Sequence, residues 1–374
     1  MINISVTYEN NTLVVTSDDD KIIFEIDATI PVMQERQDFA VWLFLPIAMR
    51  QNRRLHISGK GTEHTIRNAK KMSQIWSTWM PSHFNDIEVS FDEVLSVENI
   101  ETDYKEKDIC FYSGGVDSTY TIANKAKQED TKLSLLTVHG MEYAYDDEEK
   151  FNYFIEKTKP FTERYANERV FIKTNAYGVY NKYKINTRQS HVSHIFTLAA
   201  VGFLYSGYAR HLVIAADYRL DQQFMVFPWG SNSATNYLFD DGITSMETAD
   251  DMVTRSEKIP FFMNEDHMLD ALTFCVDKKS RPYNCGVCSK CMRTKLMFFA
   301  ATGSVPEIFK NMEIGEDAFD SFNVKSKSEQ AFISDLYYSA VNHHQIDELP
   351  RLKLLMQKIR NSQKRSVLHF FKLK

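Results

Sequence analysis

The chain has 374 residues, 43% of them hydrophobic and 25% charged, which is enough apolar material for a sizeable core in roughly two or three domains. Its formal net charge of −6 supplies no global basic field, so the composition carries no strong nucleic-acid signal. The longest apolar run, Phe39 to Met49, is about half of the roughly 20 residues that span a bilayer, and Met1 to Ser5 alternates like a strand without the charged start and apolar core of an export signal, so a cytoplasmic protein with no transmembrane segment is expected.

Residues 1–100 read as a small N-terminal α+β domain. Ile2, Ile4 and Val6 alternate with polar residues, Leu13 to Val15 and Ile22 to Ile26 make two more β-rich runs, and the asparagine and aspartate clusters between them are turn chemistry. Asp38 to Met49 predicts a buried helix, Leu55 to Ser58 a strand, and 66–79 an amphipathic helix with Met72, Ile75 and Trp76 inward, stopped by Pro81. Ile87 to Phe91 is another short strand, and Glu101 to Lys107 a charged linker. From Asp108 the pattern becomes strands at 108–113, 133–139, 169–174 and 211–216, alternating with helices at about 116–127, 148–165 and 190–206. Such alternation predicts an α/β fold with a doubly wound parallel sheet. After about 220 a polar stretch leads to a cysteine cluster and then to mostly helical sequence over 261–374.

The sharpest motif is Ser113-Gly114-Gly115-Val116-Asp117-Ser118-Thr119, set between an apolar strand and a helix start. Two glycines let the backbone turn tightly and approach an anion, and the unpaired amides and dipole of the following helix favour phosphate there. Ser113, Ser118 and Thr119 add hydroxyl donors. The loop lacks the Gly-Lys-Ser/Thr of a Walker A sequence. Asp117 would sit among phosphates, which suits a magnesium contact or an orienter of pyrophosphate. The plainer reading is a strand–turn–helix with Asp117 as a cap.

These residues resemble the SGGxDS loop of the PP-loop ATP pyrophosphatases, a family that includes asparagine synthetase, GMP synthetase, argininosuccinate synthetase, tRNA-thiolating enzymes and 7-cyano-7-deazaguanine synthase. The resemblance implies a Rossmann-like sheet of the HUP type over an ATP-binding domain at 108–260, and chemistry through an acyl or imidoyl adenylate with release of AMP and pyrophosphate. It implies Asp117 and Ser118 as catalytic groups. It also implies that the adenine lies against the end of the second strand, about Thr137 to Gly140, which brings in Val138 and His139.

The second motif is Cys275-x9-Cys285-Gly-Val-Cys288-Ser-Lys-Cys291. Four thiolates at this spacing match a closed tetrahedral zinc site of structural type, with Gly286 easing the knuckle and Lys290, Arg293 and Lys295 near enough to offset its charge. An iron–sulfur cluster or free buried thiols are the alternatives. The tetrad and its place after the glycine loop resemble 7-cyano-7-deazaguanine synthase over roughly residues 108–300. The first hundred residues and the tail fall outside that resemblance and point to a different substrate.

Weaker features complete the expected site. Gln189 to His194 opens the helix before the fourth strand, and His191 and His194 can bind an acyl substrate or shuttle protons. Helix capping by Ser190 and ordinary packing explain the same residues. Arg188 and Lys184 can meet a substrate charge or simply be solvated. Asp217 ends the fourth strand, where open α/β sheets bind ligands, and Trp229, within Pro228 to Asn232, can line the pocket. Arg255 and Lys258, in a segment resembling the Thr-Lys-x-Glu region of the deazaguanine enzymes, can hold phosphate or developing charge, or form an exposed helix end. Cys110 is expected to be packed in the first strand. The tail from Arg351 to Lys374 carries eight basic residues and no acidic one, with a stripe of Leu352, Leu355, Met356 and Ile359 that serves either a partner surface or packing on the body.

The expected function is therefore an ATP-dependent C–N ligase that adenylates a carboxylate or amide for attack by ammonia or an amine. ATP, magnesium and zinc are its expected cofactors, and a small-molecule or peptide acyl compound its substrate. A separate ammonia or amine donor and a homodimer are compatible with the sequence. An ATP-dependent sulfurtransferase and a non-catalytic nucleotide-binding module are the alternatives.

Overall fold

Alternation of apolar and polar residues makes the first strands, and each buries its apolar face. Strands β1 (Ile2–Glu9), β2 (Thr12–Thr16) and β3 (Lys21–Ile26) form an antiparallel meander with Ile2, Ile4, Leu13, Val15, Ile22 and Phe24 buried. The computed structural model describes residues 1–372 apart from 28, 29, 31, 101–106, 129, 130, 188, 189, 264 and 321, with the backbone alone for 99, 316, 317 and 362–372. Arg188, Gln189 and most of the charged linker thus lie outside the described residues, as do the side chains of the distal basic tail.

Helix α1 (Asp38–Gln51) is apolar around its whole circumference because it is covered on every side. Trp42 meets Phe203 and Phe239 at ring distances of 6.0 and 5.1 Å, Phe39 meets Phe24 at 6.3 Å, and Tyr180 Oη donates to the Leu43 carbonyl at 2.6 Å. Strand β4 (Leu55–Thr62), helix α2 (Glu63–Trp79) and strand β5 (Val89–Leu95) follow, with Met72 and Trp76 buried and the Thr62 hydroxyl accepting from Thr65 N as the helix cap. The strand expected at Ile87 begins two residues later.

The second half supplies strands β6 (Asp108–Phe111), β7 (Leu133–His139), β8 (Ala166–Thr174), β9 (His211–Ala215) and β10 (Ser245–Ala249). Between them run helices α3 (Val116–Gln128), α4 (Glu148–Tyr165), α5 (Ala176–Lys182), α6 (Ser193–Phe203) and α7 (Leu220–Val226). These five strands are parallel and lie in the order β10-β9-β6-β7-β8. The chain moves outward from β6 in one direction and then, starting again beside it, in the other. Loops leaving the carboxyl ends of β6 and β9 therefore part and open a crevice.

Alternate residues of these strands serve opposite faces. Ile109, Phe111, Leu136, Leu212 and Ile214 join the core under α1, α5 and α6, whereas Cys110, Leu133, Leu135 and Val213 join the core under α3, α4 and the C-terminal helices. The architecture is α/β, with helices on both faces of the sheet.

Strand β3 pairs antiparallel with β8, Phe24 opposite Thr174 and Ile26 opposite Ile172. That one seam joins both halves into a single mixed sheet of ten strands, ordered β10-β9-β6-β7-β8-β3-β2-β1-β4-β5. The helix expected from about 190 starts at Ser193 instead, because Asn186 Oδ1 accepts from Ser193 N at 2.9 Å and ends the preceding loop there. His191 consequently stands before the helix. The remaining helices are α8 (Arg255–Phe262), α9 (Asp266–Asp270), α10 (Ser289–Thr302), α11 (Lys327–Asn342) and α12 (Pro350–Lys372). In α12, Leu352, Met356 and Ile359 are buried against the body, as the packing reading of the stripe expects.

The seam generates a stability prediction. Phe24→Ala empties a fully buried ring site beside it and is expected to cost about 3–5 kcal/mol, measured by urea unfolding followed by tryptophan fluorescence.

Candidate functional site

The glycine loop leaves β6 at the crevice. Gly114 has φ +71°, and a side chain there would meet Thr273 Oγ1 at 2.5 Å and the Phe154 ring at 2.7 Å, so only glycine fits. A side chain at Gly115 would meet only Ser113 Oγ within 4 Å, at 3.3 Å. Its amide faces Ser113 Oγ at 3.4 Å, and the Ser113 and Ser118 hydroxyls are also 3.4 Å apart, all long contacts that an oxyanion can replace. Val116 then starts α3, leaving first-turn amides at the loop.

Asp117 points away from solvent into an ion triad. Lys258 Nζ lies 3.1 Å from its Oδ1, and Arg255 contacts both carboxylate oxygens through Nε and Nη2. Burial opposes the charge on Asp117, but the two cations outweigh it and hold the carboxyl below its ordinary range. Lys258 also donates to the Ala216 carbonyl at 3.1 Å, just past β9. Helix α8 presents both cations because Thr254 and Glu257 form a capping box at its start, and Asp335 of α11 accepts from Ser256 N at 3.0 Å.

The opposite wall holds the remaining expected groups. Trp229 Nε1 donates to Asp217 Oδ2 at 3.1 Å, the His191 ring lies 5.4 Å from the Trp229 ring, and His194 Nε2 is 4.0 Å from Asp217. A side chain at Gly230 would strike the His191 carbonyl at 2.0 Å, so this glycine lets the 228–232 loop lie directly on the 191–194 segment. Together the walls enclose a cleft of about 910 Å³, lined by Ser113, Gly115, Val116, Asp117, Ser118, Val138, His191, His194, Asp217, Trp229 and Arg255 among others. Four of the expected residues, Gly114, Thr119, His139 and Lys258, do not line it. Gly114 packs on Thr273 and Phe154, Thr119 is buried, and the His139 ring is stacked on Phe151 at 4.3 Å with its Nε2 2.7 Å from the Ala144 carbonyl. Lys258 reaches the site only through Asp117.

The four cysteines converge. Their sulfurs all lie within 4.8 Å of one another, and Cys275 and Cys288 Sγ are 3.8 Å apart, close to the edge of about 3.8 Å that a tetrahedron with 2.3 Å Zn–S bonds requires. Val287 N and Cys288 N donate to Cys285 Sγ at 3.4 and 3.3 Å, stabilising a thiolate. Gly286, at φ +79°, passes so close to the Asn311 carbonyl that a side chain there would come within 2.0 Å of it. The cluster fits a metal held by Cys275, Cys285, Cys288 and Cys291.

Part of the cleft comes from residues outside the expected set. Arg281 and Lys290 line it, as do Glu142 and Tyr143 from the turn after β7. Arg281 donates to the Cys275 carbonyl at 2.6 Å and to Glu142 at 2.8 Å, tying the cysteine loop to that turn. The sequence signal for Lys290 was its place between two ligands, which reads as charge compensation; its access to the cleft is a property of the fold.

Comparison with known proteins finds no matching family model, no matching curated protein and no matching solved structure. Among the described residues, no helix is long and apolar enough to cross a membrane.

Two outcomes are expected. Asp117→Ala leaves Arg255 and Lys258 facing each other unpaired and should lower stability by about 3 kcal/mol or more in urea unfolding. Because its carboxyl is held low, this contribution is complete above the ordinary aspartate pKa and fades as the pH falls below about 4. Elemental analysis should find about one metal ion per chain, zinc on the sequence expectation, and Cys285→Ser should lose it.

Proposed function

We propose that the protein is an ATP-dependent ligase of the PP-loop type. On this reading it forms an acyl adenylate with release of pyrophosphate, and ammonia or an amine then displaces AMP. The observation that carries the reading is the placement of the Ser113 to Ser118 loop. It lies at the carboxyl end of the central strand, at the point where strand order reverses, with His191, His194, Asp217 and Trp229 across one continuous cleft. The resemblance to 7-cyano-7-deazaguanine synthase belongs to the same proposal, supported by a cysteine tetrad that packs against the glycine loop through Thr273 N and the Gly114 carbonyl, 2.7 Å apart.

Each residue has a role in that chemistry. The Gly115 amide, the α3 first turn and the Ser113 and Ser118 hydroxyls bind the phosphates. Arg255 offers a fixed positive charge where pyrophosphate builds up negative charge, and Asp117 and Lys258 hold it there. Asp117 does not fit a magnesium contact in this arrangement, since its carboxylate is already shared by two protein cations. His191 is held below its ordinary pKa, chiefly by desolvation and then by His194, against the pull of Asp217, so it is neutral at neutral pH and able to take a proton from an attacking amine. Trp229 covers the space beside it and limits water, which would hydrolyse an adenylate. Zinc at the cysteine tetrad, with all four positions taken by sulfur, is structural.

The sulfurtransferase reading lacks a nucleophile among the described residues. Burial pushes the Cys110 thiol up to about 12, and the other four cysteines are committed to one cluster.

The test is incubation of the pure protein with magnesium ATP and pools of carboxylic acids and amines, assaying AMP and pyrophosphate. Stoichiometric release of both supports the ligase, and ATP binding without turnover across the pools sinks it in favour of a binding module. His191→Ala and Trp229→Ala are expected to keep ATP affinity within about twofold yet lower product formation by about 10²-fold or more. Wild-type turnover in both variants would place the pocket wrongly.

A further inference from the structure

Each cation packed around the triad has a carboxylate partner, except one. Arg255 and Lys258 share Asp117, Arg281 pairs with Glu142 at 2.8 Å, and Arg293 pairs with Glu329 at 3.1 Å. Lys290 lines the same cleft, yet among the described residues no hydrogen bond or ion pair reaches its ammonium. Among the described residues, four of these five cations pair directly with Asp117, Glu142 or Glu329, while Asp217 and Asp335 act on Arg255 at longer range. Lys278, also on the cysteine loop, lines the lip and is exposed, so water satisfies it. Lys290 stands deeper, in the first turn of α10, among the charges of Arg255, Arg281, Arg293 and Glu142.

Its position is fixed from both sides. Cys288 and Cys291 flank it, and both belong to the tetrad. The cysteine-bearing segment that leads into α10 touches the glycine loop through the bond from Thr273 N to the Gly114 carbonyl, and Thr273 Oγ1 occupies the space where a Gly114 side chain would stand. Lys290 lines the same cleft as Ser113, Gly115 and Ser118, so an oxyanion held by the glycine-loop amides shares that space with it. Glu142 is the carboxylate nearest in influence to this half-buried ammonium, but its hydrogen bond goes to Arg281, and with Arg255, Arg281 and Arg293 close by the wall keeps a positive excess that favours an incoming anion.

We propose that Lys290 is a phosphate-binding residue: it receives the terminal phosphates of the nucleotide and retains the pyrophosphate as it leaves. The cysteine tetrad then has a second consequence beyond folding, since it fixes the residue that reads the leaving group. This rests on the ATP reading above. A substrate carboxylate shares the oxyanion chemistry, and the test separates the two sources.

The experiment uses the full, metal-loaded chain. Calorimetry with magnesium pyrophosphate and, separately, AMP compares wild type with Lys290→Gln and Lys290→Arg, metal content being checked for each. Lys290→Gln should weaken pyrophosphate by about tenfold or more with AMP unchanged, and Lys290→Arg should recover most of the loss. Wild-type pyrophosphate affinity in Lys290→Gln overturns the inference, and if product formation still falls, the carboxylate substrate is the anion instead. Equal loss of AMP and pyrophosphate also overturns it. A wild type that binds neither ligand removes the ATP reading itself. An independent measurement needs no variant: pyrophosphate, and not AMP, should protect Lys290 from limiting acetic anhydride, read by peptide mass spectrometry. Absence of protection where pyrophosphate binds counts against the assignment.

Discussion

A single buried carboxylate shared between two cations holds the cleft in register. Asp117 belongs to the first turn of α3, Arg255 and Lys258 to α8, and Lys258 reaches on to the end of β9. One aspartate thus ties the glycine loop, a later helix and the neighbouring strand end. Two charges removed from water repay their desolvation only where geometry is good and the remaining donors are used, and here the second lysine proton finds a backbone carbonyl. The same arrangement holds the Arg255 guanidinium over the Phe332 ring, 4.9 Å from its centre, so the charge is fixed by protein contacts alone.

Support for that triad comes from far along the chain. Asp335 lies 79 residues beyond Ser256, whose amide it accepts, and burial first of all raises its pKa, against the hydrogen bonds it receives. The C-terminal helices therefore act on the cleft by fixing the start of α8, and the cysteine loop acts on it by fixing Arg281. Both contributions are remote in sequence and adjacent in space.

How much of this was legible depended on range. The glycine loop, the tetrad and the strands at 108, 133 and 211 were readable because each is a local pattern: alternation, a turn that needs glycine, thiols two residues apart. His191, His194, Asp217 and Trp229 were readable as a group only by assuming that segments after parallel strands share one end of a sheet, and they do share it. The Asp117 triad was not readable. An Arg-x-x-Lys pair at a helix start looks like a solvated end, and nothing local says that a carboxylate 138 residues earlier will meet it. His139 stands at a strand end as expected, but its ring is covered by Phe151, which lines the cleft in its place. Strand β10 escaped because Ser-Met-Glu-Thr-Ala has little β character of its own and is held by pairing with β9.

The β3–β8 seam has a consequence for how the molecule can be divided. Helix α6 buries its apolar face on α1, and β8 finds its outer partner in β3, so the second half of the chain is completed by the first. Cutting between 95 and 108 would leave a strand edge with open amides and carbonyls beside an uncovered apolar helix, the two ingredients of intermolecular strand addition. The two fragments are accordingly expected to behave as complements, each soluble in the other's company and prone to self-association when alone. A graft of the second half onto another scaffold would have to bring its own edge strand.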